Sequence, residues 1–453
     1  MFFGIRLEDY FMGRVQFYLS LICARMIYLA IKILNKSSGT SFVGMMMLKI
    51  CPRFLAYCKN YVKCAITITG TNGKTTTSGL FAHIVDTNDT SVVHNVKGAN
   101  MLTGIANMFA LNIAPFEKFD YAIIESDEAY LNKLYDDFKA EYLLVTNLFK
   151  DQVDRYAEIS TTAAYIQKAI DKNPSVKMLL NADDPVVSNF GKDKDALYYG
   201  FEDVEYCSEA YQAGEASEEV FNCVCGCALT YSKQILGHEG HYSCPACGYK
   251  RPDPNIKGYA KIYADYSDLR VVYQDKEYNF RVNLIGLYNA YNALGAVAQA
   301  FVLGIDPDVI EIALSTYKTM FGRSERTVIN GCETLIQLIK NPTGANEVLK
   351  TVDLESNILI GINNNIADGT DISWLWDTDF SRLKDAKGML VTTGIKAKDM
   401  AKRLVDAGVS EDKIIVEEDV PKAVDLVANP NTPANVTILP SYTVLMKLSR
   451  MKF

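Results

Sequence analysis

The residues most able to do chemistry lie in one short run, Thr69-Gly70-Thr71-Asn72-Gly73-Lys74-Thr75-Thr76-Thr77. A β-branched stretch, Cys64 to Ile68, precedes it, and a helical pattern through Leu80, Phe81 and Ile84 follows. A glycine-rich turn between strand and helix can cradle phosphate oxygens, because backbone N–H groups converge there and the helix dipole favours anions. Gly70 and Gly73 let the backbone curl closely, with Thr71, Asn72 and Thr76 completing the turn. Lys74 is spaced to reach β- and γ-phosphates, and the Thr75 hydroxyl to ligate Mg²⁺. The general pattern asks for Gly where this chain has Ile68. An ordinary strand-to-helix turn is the competing reading, and the Lys-Thr-Thr that follows directly disfavours it. Glu125 and Glu128 stand just past the buried run Tyr121 to Ile124, where carboxylates can hold Mg²⁺ against phosphate oxygens. Asn147 and Asp151 close the next run, Tyr142 to Val145, and Asp151-Gln152-Val153-Asp154-Arg155 extends toward the same cleft.

A second constellation is made of cysteines. Cys244-Pro245-Ala246-Cys247-Gly248 has the spacing of a zinc knuckle, and 18 residues separate Cys225 from Cys244. Cys223 is the neighbour best placed to complete the set, with Cys227 as its alternate and His238 or His241 as less favoured substitutes. Four soft ligands, Cys223, Cys225, Cys244 and Cys247, make a closed shell for structural zinc. Eleven cysteines, an odd number with four crowded together, speak against a secreted disulfide framework.

The elements that must position these groups read as alternating strands and helices. At roughly 150 residues per domain, 453 residues point to about three domains. Residues 1–60 read as an N-terminal helical segment, and 61–326 as a central nucleotide-binding α/β domain with a zinc-ribbon insertion over about 201–258. Residues 327–453 read as a second, Rossmann-like α/β domain. Val15 to Leu34 is the most membrane-like stretch, but Gln16, Arg25 and Lys32 interrupt it, so no transmembrane anchor is expected. A helix packed on the body is the favoured reading there, and an amphipathic segment on a membrane surface the sharper one. The net charge of −8 disfavours a broad electrostatic grip on nucleic acid.

The loop string resembles the ATP loop of the Mur ligases, which join amino acids to peptidoglycan precursors. Further marks follow in the same order. Asn147 with 151–154 resembles their Asn-then-Asp-His-x-Asp segment, and Asn181-Ala182-Asp183-Asp184 and 286–293 resemble two more motifs. Phe321-Gly322-Arg323-Ser324-Glu325 resembles the Gly-Arg-x-Glu that ends the central domain. The resemblance implies a Mur-ligase-like central ATPase with a parallel sheet. It implies ATP at Gly70 to Thr76, Asn147, Asn289 and Arg323, and Mg²⁺ on Thr75, Glu125 and Glu128. Gln152 stands where most members carry a metal-binding His, and Lys168 is out of register with the lysine that many members carbamylate. Neither a second Mg²⁺ nor that modification is assigned.

The cysteine insertion, 339–344, 367–377 and 439–443 narrow the likeness to the MurT family. That resemblance implies ATP-dependent amidation of the α-carboxylate of D-glutamate in the lipid II stem peptide. Ammonia comes from a GatD-type glutaminase, so a heterodimer on the cytoplasmic face of the membrane is expected. In that family an Asp-Asn-x-Ala-Asp segment lends its first Asp to the glutaminase's Cys-His pair. Here the segment reads Asn364-Asn365-Ile366-Ala367-Asp368. Asn364 lacks the charge that steadies an imidazolium, which leaves Asn364 or Asp368 as the contributing residue. The alternatives are an amino-acid-adding Mur or folylpolyglutamate-type ligase, and a non-catalytic scaffold for the glutaminase.

Overall fold

The computed structural model describes residues 7–33, 41–96, 99–114, 117–149, 159–207, 221–319, 322–431 and 434–451, without the side chains of 7–11 and 323. The segment 151–155 therefore lies outside the described residues.

The chain opens with three helices, α1 (Leu7–Ile33), α2 (Phe42–Ile50) and α3 (Phe54–Cys58). They lie against one face of the central domain, where Phe17, Leu21, Ala24, Val43, Met47 and Phe54 are buried. The favoured reading of α1 as a packed helix holds for that face only. Just 22% of Met12–Ile33 is buried, and this stretch is long and apolar enough to cross a membrane. The polar interruptions dilute its hydropathy without bringing it below that of a span.

The central domain runs β1 (Val62–Thr69), α4 (Lys74–Thr87), β2 (Val92–His94), α5 (Leu102–Asn112), β3 (Phe119–Glu125), α6 (Glu128–Asp137) and β4 (Tyr142–Val145). It continues through α7 (Ile159–Lys172), β5 (Lys177–Asn181), α8 (Pro185–Asn189) and β6 (Ala196–Tyr206). A hairpin, β7 (Thr230–Leu236) with β8 (Glu239–Ser243), then stands apart as its own two-stranded sheet. Next come β9 (Ile256–Ile262), β10 (Ser267–Tyr273), β11 (Lys276–Val282), α9 (Leu287–Val302) and α10 (Pro307–Thr316). The main sheet has the order β11-β10-β9-β6-β5-β4-β1-β3-β2, parallel from β2 to β9 and antiparallel over β9-β10-β11. Because β6 and β9 are adjacent in it, the insertion is narrower than 201–258. Its ends are strands of the main sheet.

The C-terminal sheet is built from β12 (Arg323–Ile329), β13 (Cys332–Gln337), α11 (Pro342–Lys350), β14 (Asn357–Gly361), β15 (Leu390–Thr393) and α12 (Ala397–Asp406). It is completed by β16 (Ile414–Val416), α13 (Val420–Val427), β17 (Val436–Pro440) and α14 (Tyr442–Leu448). The strand order is β12-β13-β17-β14-β15-β16, with only β12 antiparallel. This sheet takes up the chain at Arg323, slightly before the expected boundary.

Register decides what meets at the sheet's end. Ile68 lies beside Glu125, and Thr69 beside Val145. The phosphate loop, Glu125 and Asn147 therefore emerge together beyond the carboxyl ends of three adjacent strands, where open parallel sheets bind ligands.

Candidate active site and zinc centre

The loop's shape is set by its glycines and held from β4. Gly70 and Gly73 have φ of +132° and +81°, backbone that only glycine adopts readily. A Cβ on Gly70 would lie 2.2 Å from Thr146 Oγ1, and one on Gly73 would lie 1.9 Å from Asn292 Oδ1. The amides of Thr71 and Asn72 donate to the carbonyl and side-chain oxygens of Asn147, each at 2.8 Å. Thr146 Oγ1 donates to Asn72 O at 2.8 Å. Asn147 thus works as a splint for the loop's backbone.

Thr75 Oγ1 donates to Glu125 Oε1 at 3.0 Å, and Asn100 Nδ2 donates to the same oxygen at 3.2 Å. A buried hydroxyl and carboxylate in contact at a phosphate loop form the hard-oxygen donor set that Mg²⁺ takes. Glu128 is engaged elsewhere, 3.1 Å from Lys74 Nζ. Burial pushes its carboxyl up, against the pull of the lysine. Lys74 also donates to Gly70 O and to Thr71 O, folding back over the cradle that phosphates enter.

The C-terminal domain closes the other side. Lys340 Nζ donates to Thr71 O at 3.3 Å, and Asn341 Nδ2 to Asn72 Oδ1 at 3.0 Å. Asn341 also caps α11 by accepting from Gly344 N, with Pro342 in the first turn. The cleft between the domains opens to solvent and is walled by Phe149, Leu236, Asn289, Ser324, Thr343 and Glu347, among others. Asn289 Nδ2 lies 3.4 Å from Ser324 Oγ, joining α9 to the interdomain crossing. Arg323 opens β12 at this crossing, and its side chain lies outside the described part. Thr146 and Glu347 are site residues outside every motif, while Lys340, Asn341 and Asn292 fall within motif segments that carried no assigned role for them. An Asn followed by Pro, at a helix start, was the available signal for Asn341.

The four sulfurs of Cys223, Cys225, Cys244 and Cys247 lie within 4.8 Å of one another, while Cys227 stands exposed outside the set. Cys223 and Cys247 are 3.6 Å apart and Cys225 and Cys244 3.5 Å. A tetrahedral zinc with Zn–S bonds of about 2.3 Å needs sulfur edges of about 3.8 Å, so the donor set fits. The backbone N–H of Cys247, helped by that of Ala246, holds the Cys244 thiol down to about 6 despite burial. Burial pushes Cys223 up to about 12, so metal binding must displace its proton.

Neither histidine joins the cluster. His238 Nε2 pairs with Asp184 Oδ2 at 3.2 Å, its ring packed on Phe149 at 4.7 Å, and His241 meets Phe201 O. The hairpin's tip is driven into the central domain. Gly240 N donates to Asp183 O, and Asn181 Nδ2 donates to the buried Glu239 at 2.7 Å and to Thr146 O at 2.9 Å. Arg251, Tyr291 and the Phe201 amide saturate the Asp183 carboxylate. Residues 181–184 therefore lock the hairpin between the two cysteine pairs to the segment after β4 that splints the phosphate loop.

In the C-terminal domain, Asp368 is buried and committed. Its oxygens accept from Thr443 N at 2.7 Å, Thr443 Oγ1 at 2.6 Å and Asn365 N at 3.2 Å. Asn364 is half-buried at a tip where Ile366 is 82% exposed. Trp374 is in the core, while Trp376 is exposed with its indole N–H on Asp406.

The Mur ligase middle domain family matches residues 68–300, and the MurT ligase C-terminal family residues 338–445. A relative from Streptococcus pneumoniae, lipid II isoglutaminyl synthase (glutamine-hydrolyzing) subunit MurT, is 33% identical over 87% of each chain. This chain belongs to the MurT family. The same subunit of Staphylococcus aureus (strain COL) is 34% identical over 85% of this chain and 86% of its own. Among solved structures, a pseudomurein peptide ligase type C from Methanothermus fervidus matches with a TM-score of 0.66 and 21% identity. That match covers 85% of this chain and 79% of that one. MurF from Acinetobacter baumannii matches at 0.63 and 14%, covering 89% and 79%. These two show a shared Mur ligase fold. As a member of the MurT family the chain is a ligase subunit whose Mur ligase domain uses ATP and whose four-cysteine cluster is consistent with zinc.

Proposed function

We propose that this MurT chain amidates the α-carboxylate of D-glutamate in the lipid II stem peptide, using ATP and ammonia from a glutaminase partner. The observation that carries the reading is the contact of Lys340 and Asn341 with the phosphate loop. It lays the family-specific C-terminal domain over the site where a γ-phosphoryl is presented.

A carboxylate is a poor electrophile. Transfer of the γ-phosphoryl to one of its oxygens releases ADP and leaves an acyl phosphate with a good leaving group. Ammonia nitrogen then bonds to the carbonyl carbon, the C–O bond to phosphate breaks, and the nitrogen loses a proton. Phosphoryl transfer needs positioning and charge neutralisation above all. Lys74 leaves the loop carbonyls to meet the phosphates, and Gly73 to Thr76 bind them through backbone amides at the start of α4, while the Thr71 and Asn72 amides stay on Asn147. Thr75 and Glu125 would hold Mg²⁺, which would supply charge neutralisation at the phosphates. Lys340 adds a cation from the opposite wall, and Arg323 stands at the crossing. Asn364, at the exposed tip, faces the glutaminase, while Asp368 holds the loop. The substrate's lipid brings the complex to the cytoplasmic face of the membrane.

The test is isotopic. Lipid II labelled with ¹⁸O in the D-glutamate α-carboxylate is expected to deliver one ¹⁸O to inorganic phosphate per amide formed. Unlabelled phosphate accompanying amidated product would refute the acyl phosphate.

A further inference from the structure

Between Asp9 and Asp86 the sequence contains no Asp or Glu, although the chain carries a net charge of −8. Arg14, Arg25, Lys32, Lys49 and Arg53 fall in this interval and are exposed. Among the described residues, the same interval holds the largest run of exposed apolar side chains on one element. Met12, Val15, Leu19, Ile22, Met26, Leu29 and Ile33 of α1 recur at alternating spacings of three and four, each between 40% and 74% exposed. At 3.6 residues per turn they span an arc of about 100°, roughly opposite Phe17, Leu21 and Ala24. Arg14 and Lys32 share one edge of that arc. On α2, the exposed Phe42, Met45 and Lys49 repeat the pattern of two apolar residues and a cation.

We propose that this outer face of α1, continued by α2, docks flat on a bilayer carrying anionic phospholipid. The apolar seam enters the acyl boundary while the cationic edge meets the headgroups, the arrangement of an interfacial helix. Three other observations fix the mode. The inner face is tied to the body: Phe17 packs against Phe54 and Tyr57 at 5.2 and 5.5 Å, and Arg25 Nη2 donates to Ile113 O at 2.8 Å. Crossing the membrane would strip these contacts. A second copy is disfavoured because, among the described residues, the charged side chains that edge the seam are all cations, and self-pairing would oppose like charges. Finally, α1 and α2 pack on α5, and Asn100, just before α5, contacts Glu125. Docking therefore sets the γ-phosphate end of the cleft one helical layer from the lipid. This deepens the proposed function and rests on it for the purpose of docking, though not for docking itself.

The experiment sediments the full chain, with its glutaminase subunit, against phosphatidylcholine vesicles and against vesicles containing 30% phosphatidylglycerol, without ATP or substrate. Preferential binding to the anionic vesicles is expected. It should fall at least tenfold in Leu19→Glu/Ile22→Glu/Met26→Glu and about fivefold for Lys32→Gln. Amidation of a water-soluble, short-chain lipid II analogue should stay unchanged in both variants, which shows that they fold. Equal binding of the triple variant, or no preference for anionic lipid, would overturn the proposal. So would a concentration-dependent dimer that the triple variant abolishes while vesicle binding persists. Vesicle binding that tracks the variants while no protein amidates the analogue supports docking and counts against the proposed function alone.

Discussion

Replacing Gly73 by alanine strains the phosphate loop in two separable ways. The first is conformational: an L-residue at φ of +81° costs about 1–2 kcal/mol. The second is steric, since the new Cβ sits 1.9 Å from Asn292 Oδ1. Asn292 is buried, accepts from Thr77 Oγ1 at 3.4 Å and donates to Asn289 Oδ1 at 3.1 Å. Moving it loosens two hydrogen bonds, worth about 1 kcal/mol each. The total is roughly 3–4 kcal/mol, spent either as lost stability of the central domain or as a loop that leaves its phosphate-binding shape. Calorimetric ATP binding in the Mg²⁺ form should weaken by up to about 10²–10³-fold, in proportion to the share borne by the loop. A double-mutant cycle separates the components. Asn292→Ala removes the clashing oxygen, so Gly73→Ala should cost about 2 kcal/mol less in that background. Additive effects of the two substitutions, or a Gly73→Ala chain with unchanged ATP affinity and stability, would refute the reasoning.

Two more predictions follow from the hairpin. Burial, then the neighbouring Asp184 and Asp183 charges, push the Glu239 carboxyl well above its ordinary value. A raised folded pKa means its stabilising contribution is complete below about pH 4.5 and declines by up to about 1.4 kcal/mol per pH unit above it. Glu239→Gln keeps the neutral form, so its melting temperature should gain on wild type as pH rises from 5 to 8; parallel curves would contradict this. Zinc analysis should find one metal per chain in wild type and in Cys227→Ser. Cys244→Ser should lose the metal and, through Leu236 and Phe149, weaken ATP binding.

Motif spacing located the phosphate loop, Glu125 and the four sulfurs because each rests on short-range geometry. A strand-to-helix turn leaves few choices for Gly73, Lys74 and Thr75, and a Cys-x-x-Cys knuckle few for Cys244 and Cys247. Long-range placements were out of reach. Nothing local marks Glu239 as fully buried, since its environment comes from Asn181 and Tyr199 in other strands. Lys340 and Asn341 gain their meaning only when β13 and α11 swing back to the loop. The ends of the insertion misled for a related reason. The acidic run 201–206 and the lysine-bearing run 256–262 both lie in the main sheet, where strand pairing outweighs composition. In α1 the apolar periodicity was visible, but which arc packs and which faces outward depends on α2, α3 and α5.

The most direct test of the central claim is ADP release by the isolated chain with lipid II and Mg²⁺, comparing ammonium salt with a panel of amino acids. The account predicts ammonium-dependent turnover, abolished by Lys74→Ala, with D-isoglutamine in the product stem peptide. Turnover that depends on an amino acid and leaves the D-glutamate carboxylate unamidated would contradict it.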